Sequence, residues 1–78
     1  MTLYEVSRVI RAAEGKIWHI HFEAYGTVFR ADIGQQKARV VVARPDWKAP
    51  LEVPYERNSL LYIVKDIPSL KTWLQQIA

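Results

Sequence analysis

The chain has 78 residues, half of them hydrophobic and 24% charged, a composition that excludes a disordered tail and a length that excludes two independent cores. It contains no cysteine, which removes a disulfide scaffold, a thiolate zinc site, an iron–sulfur cluster and a thiol nucleophile from consideration. Eleven basic residues against eight acidic ones leave a net charge of +3, a balance that tolerates a polyanionic partner without demanding one.

The first segment supports two readings. As a strand, Tyr4, Val6, Ile10 and Ala12 share one face, and Glu14-Gly15 closes a hairpin onto the next strand; this is the preferred reading. As a helix, Thr2 and Glu5 form a capping box, Leu3, Val6, Ile10 and Ala13 make one stripe, and Gly15 stands as a C-cap. The charges at Glu5, Arg8 and Arg11 break the apolar run that a signal peptide needs, and no window approaches a membrane span. A cytoplasmic protein with no membrane partner is therefore expected.

From Ile17 to Ala24 the residues Trp18, Ile20, Phe22 and Ala24 alternate with His19, His21 and Glu23, the period of a half-buried strand. After a turn at Tyr25-Gly26, Phe29, Ala31 and Ile33 alternate with Val28, Arg30 and Asp32 in a second strand over 27–33. Gly34-Gln35-Gln36 turns the chain into Lys37 to Arg44, where Val40, Val41 and Val42 suit a central strand. Pro45, Pro50 and Pro54 make residues 45–57 a loop, because proline lacks the amide donor of a ladder. Leu60 to Val64 reads as a fourth strand, although Ser59 as a cap and the spacing of residues 60, 63, 64 and 67 also permit a helix. The spacing of Ile67, Leu70, Trp73, Leu74 and Ile77, with Asp66 as cap and Pro68 in the first turn, predicts a helix over 67–77.

The expected fold is a single compact α+β domain over 1–78, a small antiparallel meander of four to five strands with one C-terminal helix on one face. Trp18, Ile20, Phe22, Leu70, Trp73 and Leu74 should be buried together.

Three constellations bear on function. His19, His21 and Glu23 project from one strand face and form a weak metal candidate, similar to the paired histidines on strands of β-barrel metalloenzymes. A plain solvated face is the preferred reading, and no metal or cofactor is expected. Ser7, Ser59 and Ser69 meet no base at a recognisable spacing, and no phosphate-binding or metalloprotease motif occurs, so the chain reads as a non-enzyme. Lys37, Arg39, Arg44 and Lys48 lie near Trp47, a set that suits single-stranded DNA or RNA, with phosphates on the cations and a base on the ring. A four-stranded sheet with a C-terminal helix is similar, at the level of fold, to single-stranded DNA-binding coactivator domains. The same charges also serve to protect a strand edge.

The leading reading is protein docking. The loop places Arg44, Trp47, Leu51 and Tyr55 among prolines, and Trp, Tyr and Arg dominate binding hot spots, although Trp47 can equally fold back as a lid on the core. The chain is thus expected to be an adaptor, inhibitor or subunit, of the kind also carried by phages and mobile elements. It would act as a monomer or homodimer, with single-stranded nucleic acid as the alternative partner.

Overall fold

A computed structural model describes residues 1–78. Its elements run in the order α1 (Leu3–Ala12), β1 (Lys16–Glu23), β2 (Gly26–Ile33), β3 (Gln36–Ala43), β4 (Ser59–Ile63) and α2 (Ile67–Ile77).

The first segment is a helix, which corrects the preferred strand reading. The Thr2 hydroxyl accepts from the Glu5 N–H at 3.1 Å while the Glu5 carboxylate accepts from the Thr2 N–H at 2.8 Å, so two donors at the helix start are satisfied reciprocally. Helical spacing then buries Val6 and Ile10 completely. The helix stops at Glu14, whose backbone is left-handed at φ 63°; the N–H groups of Glu14 and Gly15 donate to the carbonyls of Arg11 and Ile10, each at 2.9 Å. Close approach requires glycine at position 15, because a Cβ there would lie 2.6 Å from Ile10 Cγ2 and 2.8 Å from the Ile10 carbonyl oxygen.

β1, β2 and β3 form the expected antiparallel meander. After β3 the chain departs from it. The proline-bearing residues 44–58 carry no regular structure and return the chain so that β4 runs parallel to β3, with Val40 beside Tyr62 and Val41 beside Ile63. The sheet is therefore mixed, in the order β1-β2-β3-β4. A parallel neighbour needs a crossover of about a dozen residues or more, and residues 44–58 supply one. α2 forms where its spacing predicts, with Asp66 accepting the Ser69 N–H at 2.8 Å.

Both helices pack on one face of the sheet, so the single-helix expectation is also corrected. Val6, Ile10, Leu70 and Leu74 meet Phe29, Ala31 and Ile33 of β2 and Ala38, Val40 and Val42 of β3. Trp73 is half-buried against this core and stacks on Tyr62 at 4.7 Å between ring centroids.

The expected burial of Trp18, Ile20 and Phe22 does not occur; they are 54%, 42% and 74% exposed. For Trp18 the cause is a bulge. Ile17 pairs with Ala31 and His19 with Arg30, so Trp18 has no partner of its own and the alternation changes phase. Ile17 faces the helices, whereas Trp18 turns to the opposite face, where Arg30 Cζ and Lys37 Nζ lie 5.9 and 5.8 Å from its ring centre. Ile20 and Phe22 return to the helix face beside Phe29 and Thr27, on the outermost strand, where the helices leave them uncovered.

On the opposite face Val28 and Val41 are buried without belonging to the helix-side core. The segment 44–58 covers them, anchored by bonds from Arg39 to Pro54 and from Arg30 to Glu56. We call it the strap. No helix is long and apolar enough to cross a membrane.

Candidate functional site: the strap and the arginine pair beneath it

Arg30 on β2 and Arg39 on β3 are direct cross-strand partners. Like charges placed opposite one another repel, and burial would worsen it. The strap supplies the counter-charge. Arg30 Nη1 donates to Glu56 Oε1 at 2.8 Å, Arg30 Nη2 donates to Glu56 Oε2, and Arg39 Nη1 lies 3.5 Å from Glu56 Oε2. Arg39, with a side chain only 4% exposed, also donates from Nη1 to the Pro54 carbonyl at 2.7 Å. The hydrogen bonds from Arg30, reinforced by the charge of Arg39, hold the Glu56 carboxyl below its ordinary value; the same bonds raise Arg30.

These anchors fix Tyr55 from both sides. Pro54 and Glu56 are tied to the sheet, and Tyr55 between them is 87% exposed. The other proposed docking residues are placed differently. Trp47 is half-buried, with its indole Nε1 shielded and lacking an acceptor. Leu51 is half-buried as well. Arg44 is exposed, but its guanidinium is bound to the Asp46 carboxylate at 3.2 and 3.0 Å, and its N–H donates to the Tyr25 carbonyl at 2.8 Å.

The residues proposed for nucleic acid do not assemble into one open basic surface. Arg39 is buried under the strap, Arg44 is paired with Asp46, and Lys37 lies 3.5 Å from Asp32 and over the Trp18 ring. Lys48 is exposed, and Trp47 is half-buried. His19, His21 and Glu23 do share a face. The imidazole centres are 5.1 Å apart and His21 Nε2 is 3.4 Å from Glu23 Oε1, yet no three potential metal-ligating side chains converge anywhere in the protein.

Sequence reasoning missed Arg30, Glu56 and Trp18 as parts of this surface. Arg30 and Glu56 stand 26 positions apart, and only the parallel return of the chain brings them together. One signal was legible: an acidic residue directly after Pro54-Tyr55, in a segment otherwise rich in apolar residues.

No known family matches this chain, and neither the curated proteins nor the solved structures include one significantly similar to it.

Proposed function

We propose that the protein is a small non-enzymatic docking module that binds another protein through the strap, with Tyr55 as its anchor. The observation that carries this reading is the clamping of both neighbours of an exposed tyrosine. A side chain whose backbone is already ordered loses little entropy on docking, and tyrosine brings a large apolar area with a hydroxyl at its tip. Leu51 and Arg44 border the same segment, Leu51 for apolar contact and Arg44 through exchange of its Asp46 partner for one on the bound protein.

Replacing Tyr55 with a photo-crosslinking phenylalanine analogue in the native host, with nuclease treatment as the control, tests this. A crosslinked protein should appear that the Tyr55→Ala variant no longer co-purifies, while the melting temperature of that variant stays unchanged. Equal recovery by Tyr55→Ala would refute the role of the strap. An adduct removed by nuclease would instead favour the nucleic-acid reading, whose binding would weaken steeply as salt rises.

A further inference from the structure

β1 is the outermost strand on one side of the sheet, eight residues long and free of proline, and it carries Ile20 and Phe22 uncovered on the helix face. Natural sheets shield such edges with short strands, prolines or central charges, as the five-residue β4 does at the other side by its length. β1 instead places its fixed charges at its two ends, Lys16 first and Glu23 last.

We propose that β1 pairs antiparallel with β1 of a second copy of this chain, about a two-fold axis at Ile20, joining two four-stranded sheets into one. The bulge makes the strand self-complementary. Trp18 and His19 together occupy one position against Arg30, so the strand has a centre at Ile20 with equal arms on either side. In that register Glu23 faces the other copy's Lys16, Phe22 faces its Ile17, His21 faces its Trp18 and His19 pair, and Ile20 meets Ile20. Each of these matches agrees in face. Ile17, Ile20 and Phe22 lie on the helix side, while Lys16, paired with Asp32, lies on the strap side with Trp18, His19, His21 and Glu23. Without the bulge, strict alternation would send Lys16 and Glu23 to opposite faces. The isologous arrangement thus joins opposite charges at both ends of the strand and packs apolar side chains between them. A parallel pairing would set like charges together.

Light scattering on the full chain across micromolar to millimolar concentration should give twice the 9.1 kDa of one copy. Lys16→Glu and Glu23→Lys, made singly, each place like charges together at both ends and should raise the dissociation constant about ten-fold. The double variant, with the charges exchanged, should restore it. Phe22→Glu should give a monomer with unchanged circular dichroism, and Tyr55→Ala should leave the dimer intact, which separates this interface from the strap. A monomer at millimolar concentration, or a dimer indifferent to the single charge changes, overturns the proposal.

Discussion

Arg30 and Glu56 form a two-pronged ion pair that ties the strap to the middle of the sheet, and the same carboxylate lies 3.5 Å from Arg39 directly across the ladder. One side chain therefore eases the like-charge conflict between two neighbouring strands and anchors the segment that covers Val28 and Val41.

Acid should loosen this arrangement. The Glu56 carboxyl is held below its ordinary value of 4.5 by Arg30, and those of Glu5 and Asp66 are lowered by the backbone N–H groups of Thr2 and Ser69. Between the ordinary and the lowered values the unfolded chain binds more protons than the folded one. The stabilisation is therefore complete above about pH 4.5 and is lost as pH falls through the folded values. Thermal melts should show this decline, and Glu56→Gln should flatten its slope. At neutral pH the substitution should cost about 1–2 kcal/mol, less than a buried charged bond because the carboxylate is partly solvated.

Trp47 and Tyr55 should separate on stability. Tyr55→Ala removes an exposed ring and should change the unfolding free energy by less than about 0.5 kcal/mol. Trp47→Ala removes a half-buried ring and should cost about 2 kcal/mol, whereas Trp47→Phe keeps an aromatic ring, removes a shielded N–H that has no acceptor, and should be close to neutral. Urea denaturation of the three variants measures the order. Equal losses for Trp47→Ala and Tyr55→Ala would contradict the partial burial of Trp47.

Two turn glycines should respond differently to alanine. A Cβ at Gly26 would lie 2.1 Å from the Val42 carbonyl oxygen, a ladder atom that cannot move without breaking the pairing of β2 and β3, so Gly26→Ala should cost about 3 kcal/mol or prevent folding. Gly34 has open space around it and pays only for its left-handed backbone at φ 62°, so Gly34→Ala should cost about 1 kcal/mol. Hydrogen exchange at the β2–β3 turn and ladder would show the loss spreading along the strands in the first variant and staying local in the second.

The local elements of the sheet and of α2 were legible in the residues. Alternation defined β2, the β-branched run Val40-Val41-Val42 defined β3, the spacing of Ile67, Leu70, Trp73, Leu74 and Ile77 defined α2, and the prolines kept residues 45–57 irregular, because each of these follows from a single segment. From its residues α1 reads as a strand in preference to a helix, and it is a helix. Its capping box favours the helix locally, but the outcome was settled by Val6 and Ile10 meeting the sheet at helical spacing, together with the close approach of Gly15 to Ile10. Three further features belong to the tertiary structure alone. The direction of β4 depends on how far the strap carries the chain before pairing resumes. The meeting of Arg30, Arg39 and Glu56 depends on that return. The side of the sheet on which Trp18 lies depends on the bulge that leaves Trp18 itself unpaired in β1 and shifts the phase of the strand across it, since a strand's facing is set by its register against its neighbour.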